Sequence, residues 1–292
     1  MSPDSCSTDA HSTDAHSTDS FSTGAFSIDA APVEPGAVLA PLAARYVSWL
    51  RLPAARTSDT SGEDPALVRA MPVVLRVERA TPPERTPLLE AAASAAVAVC
   101  LDPRAGVGGE WHDAVASWIG GRIRKVSRRA RGAHWAAVQE LPGVTVAVPS
   151  RDGVAEVRAL VPGLVAEAPK EVSRLQIAGT DLPPDQPGEP APGRPVVWLN
   201  PAVELTVGKA AAQVGHASMI LAAALPAADL AAWYADELRC AVRVASERRW
   251  RAVLDAVPNG AATGRSTVLV RDAGFTEVAP GTVTCAAQWL PA

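Results

Sequence analysis

The chain carries the same order of sequence patterns twice, and this repetition limits the architectures that it can adopt. The segment PVVLRVERATPPERTPLLEAAASAAVAVC, from Pro72, parallels PVVWLNPAVELTVGKAAAQVGHASMILAA, from Pro195. Two tryptophan pairs then recur with equal spacing, Trp118 with Trp135 and Trp233 with Trp250. Because the matches follow one order with offsets of about 115 to 123 residues, they predict an internal duplication.

Each copy is predicted to contain a strand, a long alanine-rich helix, a short strand, a second helix, a strand and a final strand. This alternation predicts an α/β layered fold with a mixed sheet. Ser246 is the expected N-cap of the second helix in the second copy, and Pro258 with Gly260 is expected to end it. In the second copy the predicted elements are 196–199, 208–225, 240–245, 247–257, 266–271 and 282–289.

Segments of biased composition divide the chain. The polar, acidic repeat STDAHSTDAHSTDSFSTGAFSIDA predicts a disordered tail over residues 1–70, with a short helix at 39–50 and a flexible link at RTSDTSGEDP. Two histidines in this tail are too sparse for a metal site. The proline-rich stretch DLPPDQPGEPAPGRP predicts a linker at 184–194. The expected modules are therefore 71–183 and 195–292.

Composition indicates a globular, cytoplasmic protein. Hydrophobic residues make up 48% of the 292 residues, and the net charge of −4 arises mainly from the acidic tail. The four cysteines are scattered without ligand spacing, so we expect reduced thiols and no zinc site. No apolar run is long enough to span a bilayer, and we expect no contact with membranes.

Polar residues converge at the start of the long helix in the second copy. At about 100° per residue, Lys209, Gln213 and His216 fall on one narrow helical face. A lysine in the first turn opposes the helix dipole, which predicts an anionic partner for Lys209. Asp272 occupies the turn after a predicted strand, where α/β folds commonly bind ligands.

The motif Lys-x-x-x-Gln-x-x-His-Ala, followed by Asp-Ala-Gly-x-Thr and Pro-Gly-Thr-x-Thr, resembles the archaeal and eukaryotic type of peptidyl-tRNA hydrolase. The resemblance covers roughly Pro195 to Ala292. It implies hydrolysis of the ester that joins a peptide to tRNA, with peptidyl-tRNA as the partner and without metal or organic cofactor. It implies that the residues acting in hydrolysis are Lys209, Asp272, Thr276 and Thr284, with His216 and Gln213 lining the same pocket.

The resemblance also implies a compact domain with a four-stranded mixed sheet covered by helices. Combined with the duplication, it predicts two tandem three-layer α/β/α modules, of which the N-terminal one is a degenerate copy. At an offset of 120, Lys209 and the two polar residues after it correspond to Leu89, Ala93 and Ala96. By the parallel between EVRALVPG and GFTEVAPG, Asp272 and Thr276 correspond to Val154 and Arg158.

Every singled-out residue has a simpler interpretation. Asp272 could only form a turn, Lys209 could be solvated, and Thr284 could merely favour a strand. His216 is as readily a hydrogen-bonded core histidine as a catalytic group, and Gln213 could only orient the lysine. The chain could accordingly be a non-catalytic tRNA- or protein-binding module with the same fold, or an esterase acting on another acyl ester.

Two residues depart from the family pattern near the motif. Phe275 replaces a residue that is usually basic, and Glu277 replaces a glutamine. The loss of a cation and the gain of an anion predict weaker affinity for tRNA phosphates.

The first copy contains the basic segment RIRKVSRRARGAHW. Its charge density is typical of a phosphate-binding surface, although a basic strand balanced by the acidic tail is the alternative. We expect the first copy to bind tRNA while the second hydrolyses it, either as an intramolecular pseudo-dimer or within a homodimer. The residues expected to contact tRNA are Arg122, Arg124, Lys125, Arg128 and Arg129.

Overall fold

The structure is a computed structural model that describes residues 36–177, 181–257 and 267–290. Its first regular elements are two helices, α1 (Ala40–Arg51) and α2 (Ala54–Thr57), preceded by a single 3-10 turn. Leu42 and Tyr46, one helical turn apart, are the buried residues of α1. This spacing makes α1 amphipathic, so it packs against the rest of the chain along one face.

The segment after α2, which the sequence predicts to be a flexible link, is hydrogen-bonded to the N-terminal module. The Glu63 carboxylate accepts hydrogen bonds from the guanidinium groups of Arg122 and Arg124. Arg122 also donates to the Thr57 carbonyl at 2.6 Å. Charge pairing thus holds a segment whose composition alone indicates flexibility. The repetitive sequence before residue 36 lies outside the described residues.

Strands and helices alternate in both halves of the chain. The N-terminal module contains β1 (Arg69–Arg76), α3 (Arg85–Leu101), α4 (His112–Gly120), β2 (Lys125–Ala130), α5 (Gly132–Gln139), β3 (Gly143–Ser150), β4 (Gly153–Leu160), β5 (Gly163–Leu164) and α6 (Lys170–Ser173). The C-terminal module contains β6 (Pro195–Leu199), α7 (Val207–Ala224), α8 (Ala227–Ala235), β7 (Ala241–Val244), α9 (Glu247–Asp255), β8 (Thr267–Arg271) and β9 (Val283–Trp289).

The six elements predicted for the second copy are present, with bounds within two residues of those expected. Helix α8 was not predicted, because its alanine-rich sequence continues that of α7 and only Leu225 and Pro226 separate the two helices. Ser246 caps α9 as expected, since its hydroxyl accepts the Arg249 N–H at 3.2 Å. Pro258 and Gly260 lie outside the described residues. Within the described part of the chain, no helix is both long and apolar enough to cross a membrane.

The two sheets have the same connectivity. The first has the strand order β2-β1-β4-β3, with the two-residue β5 pairing to β1, and the second has the order β7-β6-β9-β8. In each sheet the first two strands in this order are parallel and the other neighbours are antiparallel. The predicted α/β class, with two mixed four-stranded sheets in tandem modules, is therefore confirmed.

Each sheet carries a long helix on one face and a short helix on the other. In the first module, Val74 packs against Trp135 and Val138 of α5, while the adjacent Val73 and Leu75 point to the opposite face. In the second module, Trp198 and its neighbours pack against α9 in the same way. The remaining faces are covered by α3 and α7.

The same tryptophan contact occurs in both modules. The Trp118 indole N–H donates to the Arg124 carbonyl at 3.0 Å, and the Trp233 indole donates to the Arg239 carbonyl at 2.8 Å. Each tryptophan is fully buried and lies in the helix that precedes its parallel edge strand. This shared detail favours the duplication, which remains an inference.

The structure corrects the residue correspondence expected for the first copy. Val154 and Arg158 lie in β4, which pairs with β1 as β9 pairs with β6. The counterpart of β8 is instead β3, which is followed by the tight turn of Arg151 and Asp152. The sequence match equated a strand with a loop because the module lengths differ most at this point.

The long helices of the two modules pack closely together. The Ser218 hydroxyl of α7 donates to the Ala93 carbonyl of α3 at 2.7 Å. A Cβ atom built on Gly215 would lie 3.0 Å from the Ala96 methyl group and 3.1 Å from Lys125 Cε. Small residues therefore set the distance between α3 and α7. The positions of α3 that correspond to Gln213 and His216 form part of this interface.

Each long helix also contacts the parallel edge strand of the other module. Glu90 of α3 accepts hydrogen bonds from the Val242 N–H at 3.1 Å and from Arg243 at 2.7 Å, both in β7. In the reciprocal contact, His216 of α7 lies 3.1 Å from the ammonium of Lys125 in β2. The two contacts place corresponding elements against each other, as in an interface with approximate two-fold symmetry.

The N-terminal helices cover the outer strand of the second sheet. The Leu269 N–H in β8 donates to the Tyr46 hydroxyl, and the Trp49 indole donates to the Arg271 carbonyl at 3.0 Å. Arg271 in turn donates to the Leu50 carbonyl at 3.1 Å. Helix α1 therefore holds the strand that leads into the turn of Asp272.

We expect Gly215→Val to lower the free energy of unfolding by about 1–3 kcal/mol, because the larger side chain would overpack the α3–α7 interface. Urea denaturation of the full chain measures this change. Gly120→Val is the matched control, since a Cβ at Gly120 meets no atom within 4 Å. Equal stability of the two variants would show that the close contact does not limit residue size.

Candidate active site

A tight turn after β8 fixes the position of the Asp272 carboxylate. The Asp272 N–H donates to the Thr282 carbonyl at 2.8 Å, and the Gly281 N–H donates to the Asp272 carbonyl at 2.9 Å. One carboxylate oxygen, Oδ1, accepts the Gly274 N–H at 2.7 Å. The loop therefore presents the second oxygen, Oδ2, in a defined direction.

Gly274 is required by the shape of this turn. Its φ angle is 83°, which lies in the left-handed region, and a Cβ atom there would come within 2.5 Å of Pro280. Both the backbone angle and the close approach exclude larger residues. The glycine thus allows the loop to fold back over Asp272.

Lys209 meets Asp272 from the first turn of α7. The Lys209 ammonium lies 2.7 Å from Asp272 Oδ2 and 2.8 Å from the Thr276 hydroxyl. The Lys209 and Asp272 side chains are only 11% and 8% exposed. Asp272 is thus the anionic partner predicted from the position of Lys209 at a helix start. Thr276 lies at the exposed margin of the pair.

Two buried residues, Gln213 and Thr284, support the Lys209–Asp272 ion pair from the interior of the module. The Gln213 amide N–H donates to Asp272 Oδ2 at 2.7 Å, and its carbonyl oxygen accepts a hydrogen bond from the Thr284 hydroxyl. Gln213 is 2% exposed and Thr284 is fully buried. The structure therefore places Thr284 behind Gln213, on the buried side of the ion pair and away from exposed Thr276.

His216 lies outside this network. Its ring nitrogen Nδ1 is 3.1 Å from the Lys125 ammonium, across the interface between the modules. Burial, followed by the positive charges of Lys125 and Lys209, holds the pKa of His216 well below its usual value. Burial also lowers the pKa of Lys125 to about 7. The three residues predicted to share one face of α7 therefore lie in two environments. Lys209 and Gln213 contact Asp272, whereas His216 contacts Lys125 of the other module.

The two residues that depart from the family pattern both make specific contacts. The guanidinium groups of Arg122 and Arg124 lie 5.6 and 5.4 Å from the centre of the Phe275 ring, within cation–π range. Glu277 accepts hydrogen bonds from the N–H and hydroxyl of Thr206 at 2.9 and 2.7 Å. The N-terminal module therefore brings positive charge to the loop that lacks a basic residue of its own.

The contacts of Glu277 fasten the loop to the start of α7. The Thr206 hydroxyl also caps the helix by accepting the Lys209 N–H at 3.2 Å. A carboxylate at a helix N-terminus interacts favourably with the helix dipole. Glu277 is thus engaged by α7 rather than directed at the ion pair.

The predicted basic surface is divided among several environments. Arg122 and Arg124 pair with Glu63, and Lys125 lies in the module interface. Arg128 donates to the Leu175 carbonyl at 2.8 Å, and partial burial lowers its pKa. Arg129 donates to the Gln176 side chain at 2.8 Å. These five residues do not form one continuous surface, because neighbours along β2 point to opposite sides.

Sequence reasoning missed several residues that shape the site. Thr206 precedes a helical pattern and is a typical N-cap residue, so its role was detectable. Glu63 gave no such signal, because it lies in a segment without periodicity. The stacking of Phe275 against two arginines depends on contact between distant modules.

The arrangement can supply positive charge and oriented hydrogen bonds to a reacting ester. An ammonium group has three donors, and two of those of Lys209 are used by Asp272 and Thr276. The Asp272 carboxylate accepts hydrogen bonds from three donors, on Lys209, Gln213 and Gly274. The remaining N–H of Lys209, on an ammonium held in a fixed position, suits the stabilisation of a developing oxyanion.

Lys125, at the interface between the modules, should make stability depend on pH. Between about pH 7 and its ordinary pKa of 10.5, Lys125 is deprotonated in the folded chain and protonated in the unfolded chain. The unfolded state then binds more protons, so the free energy of unfolding rises with pH through this window.

Lys125→Met, which keeps the side-chain length, should flatten this rise and raise stability near pH 7. Denaturant unfolding at pH 7 and at pH 9.5, compared between the two proteins, measures the difference. A rise of equal size in the variant would contradict the assignment.

Comparison with known proteins finds one family whose model matches the module that contains this site. Residues 195–289 match the model of the family described as Peptidyl-tRNA hydrolase PTH2. The matched range contains all of the Lys209–Asp272 network and excludes the N-terminal module. No curated protein and no solved structure matches the chain. The C-terminal module of this chain, residues 195–289, therefore belongs to the peptidyl-tRNA hydrolase PTH2 family.

Proposed function

We propose that the C-terminal module hydrolyses the ester bond of peptidyl-tRNA and releases free tRNA and peptide. The observation that carries this proposal is the cluster of Lys209, Asp272 and Thr276, joined by hydrogen bonds of 2.7 and 2.8 Å. It lies at the end of β8 and the start of α7, within the range that matches the family. Because the proposed substrate is a product of translation, we propose that the protein acts in the cytoplasm.

In the proposed mechanism, Lys209 stabilises the negative charge that develops on the ester carbonyl oxygen. Its third N–H is the donor that remains for the substrate. Thr276, at the exposed margin, orients the attacking water. Asp272 accepts three hydrogen bonds of about four that a carboxylate can take, so one acceptor position remains for that water. Its main role is to hold the Lys209 side chain in place.

Gln213 and Thr284 act in this proposal as positioning residues. Thr284 fixes the amide of Gln213, and that amide directs Asp272 toward Lys209. Neither side chain is exposed enough to touch a bound ester. We assign His216 to the module interface rather than to catalysis, because its hydrogen-bond partner is Lys125.

One observation favours the alternative of a binding module that retains the fold. The ion pair is almost entirely covered, with exposures of 11% and 8%, so a bulky substrate reaches it only if the neighbouring loop shifts. In a hydrolase that shift occurs on substrate binding. In a binding module the ion pair serves only to hold the loop.

Lys209→Ala and Asp272→Asn should each lower kcat/KM for peptidyl-tRNA hydrolysis by about 10²–10³-fold, as for the loss of one oxyanion donor. Release of free tRNA from a blocked aminoacyl-tRNA, in a single-turnover assay, measures this loss. Arg248→Ala removes an exposed cation from α9, away from both the ion pair and the basic N-terminal module, and is the control. Circular dichroism shows whether each variant folds.

The assay also separates the two functions. Turnover by the purified chain that disappears in both variants supports hydrolysis. Binding of tRNA without turnover by the unmodified chain would reject it in favour of the binding module.

A further inference from the structure

A strongly basic cavity lies in the N-terminal module, outside the site described above. Its volume is about 310 Å³, and it opens at the carboxyl ends of the parallel strands β1 and β2. In open α/β sheets this end is where ligands commonly bind. The basic side chains that line it are Arg79, Arg129, Arg131, His134 and Arg174.

The cavity keeps its positive charge. Among the described residues that line it, none is acidic. Glu78 precedes Arg79 in sequence and lies within electrostatic range of Arg131, but its carboxylate is bound by Arg76 at 3.1 Å and by the Gly132 N–H at 3.3 Å. Four guanidinium groups around one cavity repel each other, and a bound anion relieves this repulsion.

Hydrogen bonds fix one wall of the cavity. The segment around Gln176 runs beside β2, where the Arg129 N–H donates to the Gln176 carbonyl at 2.9 Å. The Arg129 side chain also donates to the Gln176 side chain at 2.8 Å. Arg128 holds the preceding carbonyl of Leu175. Arg129 is thus presented by a rigid strand, whereas Arg131 and Arg174 are exposed.

The same strand leads from the cavity to the start of α7. A Cβ atom built on Gly208 would lie 3.5 Å from Ser127 Cβ and 3.7 Å from the Ile177 carbonyl. Ser127 precedes Arg129 by two residues, which corresponds to about 7 Å along a strand. Lys209 follows Gly208 directly. The cavity therefore lies beyond the N-terminus of the helix that carries the ion pair.

We propose that this cavity binds backbone phosphates of the RNA whose 3′ ester occupies the Lys209–Asp272 site. The proposal rests on the proposed function of that site. Guanidinium groups bind phosphate oxygens through paired N–H donors, which suits a cavity lined by four arginines. The N-terminal module thereby supplies substrate affinity. The cavity shares Arg129, Arg131 and His134 with the basic segment read from the sequence and adds Arg79 and Arg174.

The test compares tRNA binding with turnover of a small ester. The double variant Arg131→Ala/Arg174→Ala should weaken binding of unacylated tRNA about tenfold or more and reduce the salt slope by about 1 per lost contact. Fluorescence anisotropy over a series of salt concentrations measures both quantities. Turnover of an acylated adenosine, which lacks the RNA backbone, should stay unchanged because the ion pair is untouched.

Two further variants complete the design. Arg131→Lys/Arg174→Lys keeps the charge and should retain most of the salt slope, while losing affinity through the missing paired donors. Arg248→Ala removes an exposed arginine from α9 of the other module and should leave binding unchanged. Thermal unfolding confirms that each variant folds.

The outcomes distinguish this inference from the proposed function. Unchanged tRNA affinity and salt slope in a folded Arg131→Ala/Arg174→Ala variant would overturn the inference, even if the chain hydrolyses peptidyl-tRNA. Weakened tRNA binding together with absent turnover in the unmodified chain would support the phosphate site while rejecting hydrolysis. An equal loss with Arg248→Ala would also overturn it, because binding would then follow total charge rather than the cavity.

Discussion

The close contact between α3 and α7 determines how the rest of the molecule is arranged. Gly215 leaves room for the methyl group of Ala96 and for the side chain of Lys125, and Ser218 bonds to the α3 backbone. Because these residues are small, the helices approach closely enough for each to touch the other module's edge strand. This approach brings β2, with its arginines, beside the start of α7. The division of labour proposed for the modules depends on that proximity.

The charges around the site form a connected set. The carboxylate of Asp272 holds Lys209, and the carboxylate of Glu277 holds the start of α7. Glu63, from a segment far away in sequence, balances Arg122 and Arg124 where they stack on Phe275. Both arginines belong to the N-terminal module and lie beside the loop of Phe275. They place positive charge next to a loop that has no basic residue of its own.

The sequence predicted the C-terminal module well because its signals are local. Helical spacing placed Lys209 and Gln213 on one face, and the turn motif placed Asp272 at the end of a strand, where the structure joins all three. His216 shares that helical face but meets Lys125, because the other module covers this part of the helix. Periodicity gives the direction of a side chain, and it does not reveal which element packs there.

The N-terminal half was harder to interpret for a related reason. The two copies differ most between the third and fourth strands, where a tight turn replaces a long loop, so the residue correspondence failed at Val154 and Arg158. The cavity formed by Arg79, Arg131 and Arg174 gathers residues that are far apart in sequence. Residue spacing in the sequence does not reveal such a group, because its members meet only once the sheet has brought the ends of β1 and β2 together.

Helix α1 covers β8, an edge strand of the second sheet, and so limits pairing of this strand with other protein chains. An edge strand normally has unpaired backbone N–H and C=O groups that can form hydrogen bonds with an extended segment of another chain. Here a tyrosine hydroxyl occupies the amide of Leu269, and a tryptophan indole occupies the carbonyl of Arg271. Side chains of α1 thus make hydrogen bonds that a fifth strand would otherwise make. These contacts disfavour intermolecular strand pairing at β8, the strand that leads to Asp272.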